Sequence, residues 1–452
     1  MYDEVVSTEN TELVVIGTVH HVPTPEALEV LANVAVVVNH AGVISAVLPA
    51  DSPASDEAVR RAKTVVRLGQ HERLMPGLID THVHAPQWPQ LGTGLDLPLE
   101  KWLFDYTFPL EAKYADAAFA QSVWSHMVPT FLRHGTTTSV YYATVDTDST
   151  TLLAQTCVEH GQRAYVGRVA MDHPEGTPEW YRDKTAQQGI DDSQRSIEEI
   201  HALAGNEGLV SPIVTPRFIP ACSDELLTGL GELAGRTNTL VQTHCSESHW
   251  EHGYVLERYG RTDTEMLKHF GLLKQGTVLA HGVHIGDTDY NLIKEAHAGV
   301  AHCPMSNSYF ANGVFPARRV LGLGVHVGLG TDISAGTDAG LMKQCVHAVT
   351  SSRMLEDGVN GIDGGVENSR IDIVAAFYMA TTGGARMLGL NAGVIAAGNH
   401  FDAIVVSTAA SDSGLRVYDD VDSEERIFEK IVRLSGPRDI AHVWVAGKRI
   451  KQ

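Results

Sequence analysis

Leu74-Met75-Pro76-Gly77-Leu78-Ile79-Asp80-Thr81-His82-Val83-His84 is the stretch that decides the fold of this 452-residue chain. An apolar run ends in two histidines spaced i and i+2. On a β-strand such residues point to the same side, so His82 and His84 can both reach one point at the strand's end. Paired imidazoles suit a divalent transition metal such as zinc. Two ligands do not complete a site, so other parts of the chain must supply the remainder.

Working outward from this segment, residues 78–84 open a series of eight apolar, strand-like runs. The others are 136–142, 164–170, 209–216, 239–244, 277–282, 300–304 and 325–331, each separated by enough chain for a helix. Continuous apolar strands alternating with helices imply a parallel sheet covered on both faces. Eight such units over roughly 250 residues or more fit an α/β fold of the (β/α)8 TIM type. Short strands with turns are expected before it, at 11–22 and 35–48, and again after it, at 401–406 and 442–447. The terminal segments are expected to pair into a small β-sandwich domain. The resulting division is 1–74 and 398–452 for the β-sandwich and 75–397 for the barrel. The acidic stretch 419–425 reads as a solvated loop.

Composition narrows the function. The formal charge of −21 argues against nucleic acid and against an anionic membrane surface, both of which need a basic face. It leaves a small neutral substrate open. Five cysteines, Cys157, Cys222, Cys245, Cys303 and Cys345, form no CxxC pair, which fits reduced thiols in a cytoplasmic protein. Residues 1–15 carry acids where a secretion signal has a basic region, and no apolar stretch is long enough to span a bilayer.

The active end of such a barrel is the C-terminal end of its strands. There the sequence places His82 and His84 on the first strand, His244 on the fifth (His244-Cys245-Ser246-Glu247), His281 on the sixth (Ala280-His281-Gly282) and Asp332 after the eighth (Gly330-Thr331-Asp332). The chain has 23 histidines, and a lone one at a strand end is usually structural. Four at one end of the barrel, joined by an aspartate after a Gly-Thr turn, are hard to ascribe to chance. The fourth strand carries no lysine that would bridge two metals, so one metal is favoured.

Asp332 beside a cation should stay ionised and take a proton from water. Glu247 could merely complement a helix dipole, but its place beside the ligands suits a proton shuttle. His281 can ligate the metal or hydrogen-bond the attacking oxygen. These parts describe hydrolytic removal of a group from an electron-poor carbon. They leave open an exocyclic amine, a ring amide or a halide.

The ordered motifs PGLIDTHVH, HCSE, AHG and GTD resemble the amidohydrolase superfamily. Further matches narrow the resemblance to the guanine deaminases. They are Gln87, Asp96-Leu97-Pro98-Leu99 with Trp102-Leu103, Tyr106-Thr107-Phe108-Pro109, His134-Gly135-Thr136-Thr137-Thr138, Gly161-Gln162-Arg163, Thr215-Pro216-Arg217-Phe218 and His302-Cys303-Pro304. The resemblance runs over about residues 14–450. It implies guanine as substrate, one zinc per subunit on His82, His84, His244 and Asp332, and a homodimer. It implies Glu247, Asp332 and His281 as catalytic, and it assigns Gln87, Arg217, Phe218 and His281 to the purine. Arg217 offers a fork of donors, Gln87 both donates and accepts, and Phe218 offers a stacking face. Two places depart from the family pattern. Trp88 stands where a smaller residue is expected and should line the same pocket. Residues 305–313 form a variant loop after the seventh strand. His302 is expected behind the ligands. The alternatives are an aminohydrolase for a pterin, cytosine or triazine, and a non-catalytic scaffold.

Overall fold

The computed structural model describes residues 11–311, 313–360 and 362–451. The first ten residues, used above in reading the N-terminus, and Asn312 of the variant loop lie outside them.

The expected runs are strands. They are Leu78–His84, Thr136–Tyr142, Arg163–Gly167 continued by Val169–Ala170, Val210–Pro216, Leu240–Cys245, Val278–His281, Gly299–His302 and His326–Leu329. Neighbours pair in parallel in chain order. The eighth strand returns to the first. Thr81 Oγ1 donates to the Leu329 carbonyl at 2.8 Å, Asp332 N to that of His82 at 2.9 Å, and His84 N to that of Ile333 at 2.9 Å. The ring is a (β/α)8 barrel.

The helices between strands follow local rules. In Asp224–Thr237 the Ser223 hydroxyl caps the amide of Leu226, Asp224 and Glu225 fill the first turn, and Asn238 ends the helix in the left-handed conformation. Leu226, Leu227, Leu230, Leu233 and Ala234 form its buried stripe, the spacing of a helix with one face on the barrel.

The terminal segments meet in one eight-stranded mixed sheet. Its main strands are Thr11–Thr24, Ala27–Asn39, Ile44–Pro49, Glu72–Pro76, Ala403–Ser407 and Ile440–Val445. The sheet curls so that its ends touch, enclosing Leu13, Val15, Val36, Val38, Leu74, Val405 and Trp444 in a sandwich-like core. Gly42 makes the closure possible. It has φ +72°, and a Cβ there would lie 1.9 Å from the Ala446 carbonyl oxygen, so only glycine fits. The other face, including Met75, Ile404, Val406 and Val443, joins the barrel core.

Three local features differ from the sequence reading. Glu72–Pro76 crosses the expected boundary after residue 74 and pairs wholly within the small sheet. Gly77 is the pivot: its N–H bonds Asp402 O, and that of Leu78 bonds Gly135 O at the barrel. A helix, Pro53–Arg61, interrupts the early strands. The acidic stretch is not wholly a solvated loop, because its end starts the amphipathic helix Glu424–Leu434, capped by Ser423. There Glu424 accepts from Arg73 at 2.8 Å and pairs with His20 at 2.8 Å.

A buried ion pair ties the sheet to the barrel. Arg163, at the start of the third strand, reaches Asp402 at 2.7 and 3.1 Å, and Asp402 also accepts from Ala446 N. Removing one partner of such a pair leaves an uncompensated buried charge. Asp402→Ala should therefore cost about 3–5 kcal/mol, read as a lower urea midpoint with an unchanged slope. A loss under about 1 kcal/mol would show the pair to be dispensable.

Candidate metal centre and adjoining cleft

Five side chains expected from strand ends converge in the barrel mouth. His84 Nε2 and His244 Nε2 lie 3.0 Å apart. Asp332 Oδ1 lies 3.2 Å from His82 Nε2 and 3.5 Å from His84 Nε2, and Asp332 Oδ2 lies 3.8 Å from His281 Nε2. Glu247 Oε1 lies 3.7 Å from His281 Nε2. Within each of the sets His82–His84–His244, His82–His281–Asp332 and His244–Glu247–His281, the donor atoms lie within 4.8 Å of one another.

Local structure aims these groups. His244 Nδ1 is bonded to the Arg217 carbonyl at 2.6 Å and His281 Nδ1 to Asn307 Oδ1 at 2.9 Å. In both rings this leaves Nε2 facing the cluster, the usual support for a ligating imidazole. His281 and Asp332 have φ of +71° and +48°, uncommon for residues with a side chain and frequent at functional sites. Gly330 lets the eighth strand approach, since a Cβ there would meet His82 Cβ at 2.8 Å.

The electrostatics suit a cation. Burial lowers the pKa values of His82, His84 and His244, keeping the rings neutral as ligation requires. Burial alone would raise Asp332, but His82, His281 and His84 outweigh it and hold the carboxyl well below its ordinary range. Burial raises Glu247, with His281 opposing. Nε2 of His82 and of His281 are buried without a hydrogen-bond partner. A divalent ion accepting these lone pairs would satisfy both atoms, and the nitrogen-and-carboxylate donor set fits zinc.

Beside the cluster lies a cleft walled by Gln87, Leu99, Trp102, Arg217, Phe218 and Trp250 among others. The structure thus brings together His82, His84, His244, His281, Asp332, Glu247, Gln87, Arg217 and Phe218. Trp88 is a correction: it turns away from the cleft, packs at a tilt against Phe131 with ring centroids 5.7 Å apart and donates to His126 Nδ1 at 3.1 Å. It lies in the 3-10 turn Ala85–Gln90, where three residues make a turn and adjacent side chains diverge by about 120°. Gln87 faces in, so Trp88 faces out. His302 stays outside the donor sets and packs at a tilt against Phe315, ring centroids 5.0 Å apart.

Several residues escaped the sequence reading. Asp80 accepts from Thr331 N at 2.9 Å and Thr331 Oγ1 at 2.5 Å, tying PGLIDTHVH to GTD. Burial raises its carboxyl to about 7, against the bonds from Thr331. Its parity with His82 was the available signal. Glu111 receives Arg217 and Gln87. It lies two residues past the quoted Tyr106–Pro109 motif, and nothing in the spacing marks it. Glu251 accepts from Glu247 N at 2.7 Å and so steadies the turn that carries Glu247.

The Amidohydrolase family model matches residues 73–450. The chain belongs to the amidohydrolase family. This amidohydrolase is 36% identical over 403 residues to the guanine deaminase of Dictyostelium discoideum, covering 88% of this chain and 86% of the relative. It is 37% identical over 390 residues to that of Homo sapiens, covering 85% and 84%. A crystal structure of guanine deaminase from C. acetobutylicum with bound guanine in the active site superposes with TM-score 0.87 at 30% identity, covering 98% of this chain and all of the other. An adenosine deaminase from Xanthomonas campestris with bound zinc superposes with TM-score 0.80 at 25% identity, covering 98% and 93%.

Proposed function

We propose that this amidohydrolase converts guanine and water to xanthine and ammonia. One observation carries the reading: a five-residue metal-type donor cluster with Glu247 at its edge opens onto a cleft walled by Gln87, Arg217 and Phe218. The guanine deaminases among its relatives point to the same substrate.

His82, His84, His244 and Asp332 would hold one zinc, with His281 as a further ligand or close neighbour. Zinc, when bound, supplies Lewis acidity that brings a water's pKa to roughly 7. The residues do the rest. Asp332, ionised among imidazoles, accepts a proton from the attacking water. Glu247, its pKa raised by burial, delivers a proton to the ring nitrogen beside the reacting carbon and assists departure of the amine. His281 hydrogen-bonds the attacking oxygen. Phe218 offers a face to the purine, while Arg217 and Gln87 address its ring oxygen and nitrogens. The balance is one water consumed and one ammonia released.

A heterocycle panel ranked by kcat/KM, with metal analysis on the same sample, tests this reading. Guanine should lead, with about one zinc per chain. A pterin, cytosine or triazine in first place would replace the substrate, and no turnover of any would favour a scaffold. Single rings would use the Arg217–Phe218 wall less fully.

We also propose a cytoplasmic homodimer. Among the described residues the five cysteines are free and buried, which suits a reducing compartment. No helix of the described residues is long and apolar enough to cross a membrane. Val359, Ile362 and Val366 are each exposed, apolar side chains that a second copy could cover.

A further inference from the structure

Glu111 touches both polar side chains assigned to the purine. Its Oε2 accepts from Arg217 Nη1 at 2.7 Å, and its Oε1 accepts from Arg217 Nη2 at 3.2 Å and from Gln87 Nε2 at 3.0 Å. It is 1% exposed and Arg217 is 3% exposed. We propose that Glu111 is a specificity-determining residue, which makes the cleft accept an uncharged ring and reject its anion. This rests on the guanine reading above.

Two consequences of the geometry lead there. The first is charge. Arginine stays protonated, and a lone buried guanidinium would draw in an anionic ligand. Here Glu111 compensates it in place, so the pair presents no net charge to the cleft. Arg217 still has N–H groups free of Glu111, because its fork has five donors. It therefore acts as a hydrogen-bond donor without acting as an anion trap. Two further titratable groups near Glu111 are Tyr114 and Tyr181. Burial pushes both phenols up, with Glu111 adding to it, so both remain neutral around neutral pH.

The second is polarity. Gln87 Oε1 accepts the Ser334 N–H at 3.1 Å while its Nε2 donates to Glu111. Flipping the amide would set oxygen against carboxylate and N–H against N–H. Glu111 and Ser334 thereby fix which end of Gln87 donates, and the ring meets a fixed pattern of donors and acceptors.

The reaction gives this arrangement a purpose. Exchanging the ring amine for an oxo group leaves an N–H between two carbonyls. Such an imide is more acidic than the amide of the substrate, so product ionises at lower pH than substrate does. A neutral pair with a carboxylate behind it holds the uncharged substrate and disfavours the ionised product, easing its departure.

The test compares zinc-loaded wild type, Glu111→Gln and Glu111→Asp. KM for guanine and Ki for xanthine are measured from about pH 6 to about pH 9, with xanthine binding to metal-free protein followed by tryptophan fluorescence. In wild type, xanthine should bind more weakly as it ionises. In Glu111→Gln, which removes the charge, xanthine should bind at least about tenfold more tightly at the alkaline end while KM for guanine rises about tenfold. Glu111→Asp keeps the charge and should keep the wild-type preference, even if both ligands weaken. Parallel weakening of both ligands in the Gln variant, with an unchanged pH trend, would mean a merely structural role and overturn the proposal. Tighter xanthine binding on ionisation in wild type overturns it as well, even if the Gln variant fails to fold. If wild type does not deaminate guanine, the functional reading fails instead.

Discussion

Glu247→Gln should fold, keep its metal and bind guanine, yet turn over about 10²–10⁴-fold more slowly. Glutamine matches glutamate in shape and can still hydrogen-bond, but it cannot give a proton to the ring nitrogen or assist the leaving amine. Glu247 is placed for that task, buried in the cleft wall with Oε1 3.7 Å from His281 Nε2. Its backbone is held by Glu251, which accepts its N–H at 2.7 Å, so the substitution should leave the turn in place. The loss should fall on kcat, with KM for guanine changed little, because the proton moves only as the transition state forms. Unchanged kcat would remove Glu247 from the mechanism. A large rise in KM alone would make it a binding group instead.

Stripping the metal should have the other large effect, on activity and stability together. Chelation should abolish guanine turnover and lower the melting temperature, and added zinc should restore both. The structure gives the reason. His82 Nε2 and His281 Nε2 are buried with no hydrogen-bond partner, and a buried unsatisfied polar atom costs about 1–3 kcal/mol. An ion present at about 1,000 times its dissociation constant adds about 4 kcal/mol of stability. Metal content, turnover and melting temperature measured along one chelator titration should fall in step. Full turnover in protein shown to be metal-free would contradict the ligand assignment. His244→Ala should reproduce the stripped state, because it removes one of the two nitrogens that face each other at 3.0 Å.

Much of this site is legible in the sequence, for a definite reason. A barrel puts the C-terminal ends of all its strands on one face, so residues far apart in sequence become neighbours once their strands are recognised. His82, His84, His244, His281 and Asp332 each follow or end an apolar run, and each arrives where the pattern puts it. Gln87, Arg217 and Phe218 were reached from motif resemblance, and they line the same cleft. Trp88 failed because a resemblance along the chain says nothing about the direction of a side chain in a 3-10 turn. The early helix Pro53–Arg61 and the helical end of the acidic stretch failed because short charged segments read as loops until an apolar face finds a partner.

What the sequence by itself determined is therefore the barrel, the terminal β-strands and the residue types at the strand ends. Periodicity is local, and the barrel converts it into position. What only the tertiary structure decided is how those groups are held. Asp80 bonds Thr331 across 251 positions, Glu111 bonds Arg217 across 106, and Asp402 bonds Arg163 across 239. Each is a buried carboxylate, and no periodic pattern in the sequence names its partner. Its role depends on which donor lies beside it after the chain has closed, and that depends on the whole fold.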